Sequence, residues 1–251
     1  TTITFSAAVA SGDSCYLVYM GSAQQTVTAP DGSVGSSQIS SADLVLPKTV
    51  TIGSAVAEDT KLVFDGNAQD YHIGLDDSAD SLTIGLGSTL GTTSHMVFDA
   101  NGHITKPLQS AFSAHKNGTD QTNIAGSASE VTVTWSHERF DQNSDFDLTN
   151  NRFVAPVTGK YQLNLMMRLE NIDSASDYYV IRITTSNRAY EHLIDPDFGQ
   201  DNAYHPVQIA VLADMDASDT ATIFISQQGS TAQTDIDGNN GYTNFSGYLV
   251  A

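Results

Sequence analysis

The sequence predicts an all-β protein, and three observations carry that prediction. Hydrophobic residues make up 40% of the 251 positions and charged residues only 16%, a balance that supports a folded core and disfavours long Glu- and Lys-rich surface helices. Short apolar runs recur along the chain between clusters of Gly, Asn, Asp and Ser, as expected of strands joined by turns. Apolar and polar residues alternate within several runs, and no long window repeats with the helical period of about 3.6 residues.

The first 30 residues hold two strand-like runs, 1–5 and 15–20, with a turn between them. Two strands alone are marginally stable in water, so we expect residues 1–30 to be the end of a small β-domain that begins before Thr1, inside a longer or processed product. The segment resembles the last hairpin of the Ig-like modules in phage fibre proteins. Cys15 is the only cysteine, which excludes an intrachain disulfide and a cysteine-based zinc site. The Gly- and Ser-rich residues 31–48 are expected to form a linker.

Residues 49–106 contain an internal repeat that predicts a β shaft. The sequence Lys-Leu-Val-Phe-Asp-Gly-Asn at 61–67 returns as His-Met-Val-Phe-Asp-Ala-Asn at 95–101. Strands this short cannot bury their apolar faces alone, so neighbouring units must complete the core. We expect three chains to pack together here, as in the fibrous shafts of viral appendages that this region resembles. A small monomeric β-sandwich is the alternative.

Residues 107–251 are expected to form a separate β-domain that starts near Pro107 and contains seven or eight regularly spaced apolar runs. Such spacing is typical of a two-sheet jelly roll. Two motifs stand out, Phe153-x5-Gly159-x-Tyr161-x-Leu163-x-Leu165 and, near the end, Phe245-Ser246-Gly247-Tyr248-Leu249. Their order resembles that of C1q/TNF-like domains, which implies a C1q-like jelly roll that forms a homotrimer. The positions predicted to build its core and corners are Trp135, Phe153, Gly159, Tyr161, Phe245 and Gly247.

The segment 235–241 predicts either a calcium loop or a reverse turn. Asp235, Asp237 and Asn239 place oxygen ligands at alternate positions around Gly238, which is the chemistry that a calcium ion requires. The Glu that closes a twelve-residue calcium loop is absent, because position 246 is Ser. A Gly- and Asn-rich turn between the last two strands explains the same residues without a metal. Calcium is therefore the one candidate cofactor.

A second acidic loop predicts a receptor contact. Long loops on a rigid sandwich are where recognition usually resides, and this loop combines rings that stack on a sugar with oxygens that accept its hydroxyls. An ordinary solvated loop is the alternative. The candidate receptor-binding residues are Asp197, Phe198, Asp201, Tyr204 and His205.

Charge and motifs exclude several function classes. The chain carries ten basic and 29 acidic residues, a formal net charge of −19, which repels nucleic acid and anionic membranes. No apolar run is long enough to insert into a bilayer, so neither partner is expected. No Gly-x-Ser-x-Gly elbow, P-loop or Rossmann fingerprint is present, and the sequence predicts no enzyme.

These features together resemble a bacteriophage tail or head fibre, a structural protein on the virion surface. We expect the N-terminal side to bind other virion proteins, the shaft to hold the jelly roll away from the particle, and the trimeric knob to bind a host-surface glycan or protein. Three copies would strengthen a weak single-site affinity. A capsid decoration protein and a secreted bacterial C1q-like lectin or adhesin are the alternatives.

Overall fold

The computed structural model describes residues 8, 10–12, 14, 48–124, 126 and 128–251. Contacts divide the chain into two compact units, Thr1–Thr51 and Ile52–Ala251. The strands predicted in residues 1–30, Cys15 and almost all of the 31–48 linker lie outside the described residues. The described part contains strands and no helix, which confirms the all-β prediction, and it therefore holds no helix that could cross a bilayer.

The second unit begins with a five-stranded antiparallel sheet, which we call the meander sheet because its strands pair in chain order. Its strands are β1 (Thr60–Phe64), β2 (Tyr71–Asp76), β3 (Ser81–Leu86), β4 (Ser94–Phe98) and β5 (Ile104–Thr105). The two copies of the sequence repeat become β1 and β4. All five strands belong to one sheet, so this segment does not form the two-sheet sandwich considered as an alternative.

Twelve further strands form a β-sandwich in the described part of residues 107–251. They are β6 (Ala111–His115), β7 (Val131–Thr132), β8 (His137–Asp141), β9 (Phe146–Asp147), β10 (Arg152–Val154), β11 (Gly159–Ile172), β12 (Tyr178–Thr185), β13 (Ala189–Ile194), β14 (Asn202–Met215), β15 (Thr220–Gln228), β16 (Asp235–Ile236) and β17 (Asn244–Leu249). The number exceeds the seven or eight predicted in part because β9 and β16 are two-residue strands, too short to appear as apolar runs.

The sandwich consists of two six-stranded antiparallel sheets. The β11 sheet has the order β14-β11-β17-β6-β8, with β16 also paired to β11. The β12 sheet has the order β13-β12-β15-β10-β9, with β7 also paired to β15. Because side chains alternate along a strand, each sheet turns one set of side chains, which holds the apolar core residues, inward and the alternate set outward.

A cluster of aromatic rings lies at the centre of the core between the two sheets. Phe112 is fully buried, and its ring centroid lies 4.7 Å from that of Phe153, 5.0 Å from that of Phe146 and 5.1 Å from that of Phe245. These residues come from both sheets, so the rings join the two layers. Of the predicted core positions, Phe153, Tyr161 and Phe245 are 0% exposed and Trp135 is 4% exposed.

The two predicted glycines lie where the backbone approaches other groups closely. A Cβ at Gly247 would lie 2.7 Å from Phe112 Cε1 and 2.8 Å from Leu163 Cδ2. A Cβ at Gly159 would lie 2.7 Å from the backbone oxygen of Ala251. Next to this corner, the Tyr161 hydroxyl donates a hydrogen bond of 2.7 Å to the Val157 carbonyl, which fixes the entry into β11.

A short connection, residues 106–110, joins β5 to β6 and is held against the sandwich. The Gln142 side-chain amide donates hydrogen bonds to the carbonyls of Lys106 and Pro107 at 2.9 and 2.8 Å. The Asn143 amide donates to the Leu108 carbonyl at 2.9 Å. These bonds restrict the connection, so the meander sheet is attached to the sandwich through a segment with little freedom.

Candidate functional site

The outer surface of the β11 sheet carries an arginine held between two tyrosine rings. Met167 and Leu169 on β11 are fully buried, so the intervening Arg168 points outward. Its guanidinium carbon lies 4.7 Å from the Tyr204 ring centroid and 3.9 Å from that of Tyr242. Arginine stacks favourably on aromatic faces, and this arrangement holds both tyrosines in place.

Two carboxylates complete this cluster. Arg168 Nη2 contacts Asp237 and lies 3.2 Å from Glu170 Oε1. Partial burial opposes the charge on Arg168, but the Coulombic attraction of Asp237 and Glu170 outweighs it and raises the pKa of the guanidinium. Burial, together with repulsion from Asp237, raises the pKa of Glu170. The charged groups therefore constrain one another, while the residues Tyr204 and Tyr242 remain 59% and 46% exposed.

Of the residues predicted to bind calcium, Asp237 and Asn239 line one cleft and Asp235 lies outside it. Asp237 Oδ1 accepts a 2.6 Å hydrogen bond from the backbone amide of Asn239, and its other carboxylate oxygen faces Arg168. Asp235 instead accepts hydrogen bonds from the backbone amide of Asn123 at 2.8 Å and from the side-chain Nδ2 of Asn171 at 3.3 Å. No group of three or more His, Cys, Asp or Glu side chains able to hold a metal occurs among the described residues.

The predicted receptor-binding residues fall in separate places. Phe198 stacks on His205 with centroids 5.6 Å apart, and burial beside His192 lowers the pKa of His205. Tyr204 lies on the other face of β14 against Arg168. Asp201 accepts hydrogen bonds from the amide and hydroxyl of Ser174 and from the Gln233 amide; these bonds lower its pKa.

Asp197 makes a local contact within the same loop. Its backbone amide lies 3.3 Å from Asp195 Oδ1, and its side chain is exposed. The structure thus brings together Phe198 and His205 and separates both from Tyr204.

Two clefts lined by amides and carboxylates adjoin the Arg168 cluster. The first has a volume of about 390 Å³ and is lined by Asn202 and Ala203, the residues of β14 that directly precede Tyr204. The second has a volume of about 370 Å³ and includes Asp237. Side-chain amides both donate and accept hydrogen bonds, and carboxylates accept them, so both clefts suit a hydroxyl-rich ligand. The first is lined by Asn171, Asp201, Asn202, Ala203 and Gln233, and the second by Asn117, Gly118, Asp120, Asp237, Asn239 and Asn240.

Sequence reasoning missed most of this site. The alternation of β11 could have predicted that Arg168 points outward. Its partners Tyr204 and Tyr242 come from other elements, so the sequence does not place them beside it. Asn171 and Gln233 lie in stretches without any motif. Long-range pairing of β11 with β14 and β16 brings these groups together.

Comparisons with known proteins give structural similarity alone. No protein-family model matches the sequence, and no curated protein matches it. The globular domain of zebrafish complement 1qA protein is similar, with 19% identity and a TM-score of 0.40 over 57% of this chain and 98% of that one. Murine APRIL structures determined at pH 8.5 and pH 8.0 are also similar, each with 10% identity and a TM-score of 0.42 over 57% of this chain and 99% of that one. These structures belong to the C1q/TNF-like class that the sequence motifs resemble.

Proposed function

We propose that this chain is a homotrimeric, non-catalytic attachment protein, a phage tail or head fibre on the virion surface whose sandwich binds a neutral host-surface glycan. The observation that carries the proposal is the pair of exposed tyrosine rings, Tyr204 and Tyr242, clamped by Arg168 beside two amide-lined clefts.

The chemistry of these surfaces matches that of a sugar. A pyranose ring presents an apolar C–H face, which packs on an aromatic ring, and hydroxyls, which donate and accept hydrogen bonds. Tyr204 and Tyr242 supply the rings, while side chains such as Asn202 and Asn239 supply the amides. Because Arg168 already fixes the rings, binding costs little side-chain entropy.

Charge selects among glycans. The first cleft contains Asp201, and the second contains Asp120 and Asp237. Arg168 lies at the boundary, where Asp237 and Glu170 engage it, and Arg139 donates to the carbonyl of Asn240 in the second cleft. In a chain of net charge −19, sialylated, sulfated and phosphorylated ligands are repelled. A neutral or amino-bearing glycan is favoured.

The outer face of the β11 sheet supports self-association of the sandwich. Between the row of Lys160 with Asp214 and the row of Arg168, the outward positions of β11, β14 and β17 carry no charged side chain. The outer face of the β12 sheet is different, because Arg182 pairs there with Glu130 and Glu191. Depletion of charge is typical of an interface centre. The uncharged positions are Gln162, Asn164, Met166, Gln208, Ala210, Leu212, Asn244, Ser246 and Tyr248.

Binding to an immobilised panel of neutral, amino-bearing and sialylated glycans tests the attachment site. The wild-type chain is expected to bind members of the neutral or amino-bearing sets and to release no cleaved sugar. Tyr204→Ala and Tyr242→Ala should each weaken binding roughly tenfold, or about 1.4 kcal/mol, as expected of an aromatic anchor. Tyr178→Ala is the matched control, because Tyr178 is 39% exposed on the β12 sheet. Equal losses in all three variants, or cleavage of the glycan, would contradict the proposal.

Immunogold labelling of intact phage particles tests the virion assignment separately. A fibre predicts labelling at the tips of tail or head appendages. Uniform labelling of the capsid shell would favour a decoration protein. A secreted lectin or adhesin would be absent from particles while keeping the glycan site, so the location and the site are tested independently.

A further inference from the structure

The meander sheet has one face composed almost entirely of apolar side chains. Cross-strand pairs place Leu62 beside Ile73, Phe64 beside Tyr71, and Leu82 beside Phe98, and paired residues of an antiparallel sheet point to the same side. Among the described strand residues, no Asp, Glu, Lys or Arg lies on this face. Its apolar members are Leu62, Phe64, Tyr71, Ile73, Leu75, Leu82, Ile84, Leu86, Met96, Phe98 and Ile104.

The chain covers the opposite, more polar face instead. His72, Thr83 and Leu90 are at most 6% exposed, because the loop between β3 and β4 folds over this side. Two glycines permit the close approach: a Cβ at Gly74 would lie 2.9 Å from Leu90 Cδ2, and one at Gly85 would lie 2.5 Å from the Thr93 carbonyl oxygen. The loop therefore buries a small, polar surface and leaves the apolar one open.

The open face is large enough to require a partner. Phe64 is 56% exposed, Leu62 52%, and Tyr71 and Leu75 45% each. With Ile73 and Leu82, six side chains expose on the order of 500 Å², which is comparable to the largest patches that monomeric proteins show and that mark interaction sites. Aspartates in the turns at both ends of the strands, including Asp65, Asp70 and Asp77, surround the face with negative charge.

We propose that this apolar face is an interface between copies of this chain, in which three meander sheets pack their apolar faces around one axis. The partner surface must be uncharged, apolar and as extended as the sheet, and the same face of another copy has these properties. The acidic turns disfavour an anionic membrane and form the polar rim that interfaces usually have.

The connection to the sandwich constrains the symmetry of this interface. Five residues, 106–110, separate β5 from β6, and side chains of Gln142 and Asn143 bind them. Sheet and sandwich must therefore share one symmetry axis. The number of three copies rests on the proposed function of the sandwich, whereas the face that meets the axis follows from the meander sheet itself.

Photocrosslinking of the whole chain tests which face meets another copy. Phe64 and Val63 are adjacent on β1, 56% and 39% exposed, and lie on opposite faces. Phe64→p-benzoylphenylalanine is expected to give bands at two and three times the chain mass of 26.7 kDa, with the crosslinks mapping to residues 60–105 of the other copy. The matched Val63→p-benzoylphenylalanine should give at least tenfold less crosslinked product.

A charge variant tests whether the crosslink depends on the apolar contact. In the Phe64-labelled chain, Ile73→Asp should abolish the crosslink, because like charges would meet at the axis. Val63→Asp is the matched control, because Val63 is 39% exposed and Ile73 is 37% exposed. This variant should leave the crosslink intact. Absence of crosslinks between copies, equal yields from positions 63 and 64, or crosslinks that map only to the sandwich would overturn the proposal. No ligand is used, so loss of glycan binding and failure of this interface are distinguishable.

Discussion

Removing the Phe112 ring should destabilise the sandwich more than any change on its surface. The ring is fully buried and contacts three other phenylalanine rings at centroid distances of 4.7 to 5.1 Å. Phe112→Ala removes the transfer free energy of a buried phenylalanine, about 2 kcal/mol, and leaves a cavity between two sheets that cannot collapse. The expected loss in the free energy of unfolding is about 4 kcal/mol.

Urea unfolding followed by the fluorescence of the single tryptophan measures this loss in the right part of the chain. Trp135 is 4% exposed in the same core, with its ring centroid 6.1 Å from that of Phe245. All variants are compared at one protein concentration, because association shifts apparent stability. Phe140→Ala on the neighbouring β8 is the matched control, since Phe140 is 53% exposed. A loss below about 1.5 kcal/mol for Phe112→Ala, or equal losses for the two variants, would refute the reasoning.

Three further predictions concern other parts of the sandwich. Gly247→Ala should destabilise it by about 1–3 kcal/mol in the same urea assay, because the added Cβ collides with the Phe112 ring; a stabilised variant would contradict the close packing. Burial lowers the pKa of Lys116 from 10.5 to about 8, so the unfolded state binds more protons between these values and stability should rise with pH across that window. Relative to Lys116→Met, the free energy of unfolding should rise by about 3 kcal/mol across that window. A solvated amine would show no such rise. Addition of EDTA should leave the thermal midpoint unchanged, because Asp237 already pairs with Arg168. Asp237→Asn should lower the midpoint, because it removes that ion pair. A large effect of EDTA would instead show a bound ion.

The alternation of apolar residues predicted the sandwich because it is a local property. In β11 the inward positions Tyr161, Leu163 and Leu165 are all at most 2% exposed, as period two requires. Short strands such as β9 and β16 escaped prediction, since two residues carry no period. Their pairing depends on neighbouring strands already in place.

The meander sheet shows where local reasoning ends. Alternation in Tyr71, Ile73 and Leu75 identifies an apolar face, but it does not say what covers that face. The loop that carries Leu90 lies on the polar side because Gly74 and Gly85 leave room for it. That choice depends on tertiary contacts, and it leaves the apolar face exposed in the single chain.

The candidate site was only partly predictable for a similar reason. Tyr204 was named from its loop, but the loop does not act as one unit: Phe198 stacks on His205, while Tyr204 stacks on Arg168. The other ring, Tyr242, comes from the segment between β16 and β17. Only the register of β11 with β14 and β16 brings these side chains to one surface.

Light scattering on the purified chain over a wide concentration range tests the central claim, self-association into trimers, most directly. The account predicts a single species of three times the chain mass of 26.7 kDa, without added ligand or metal. A species of one chain mass at every concentration would contradict it, and would leave the apolar face of the meander sheet without the partner that its exposure demands.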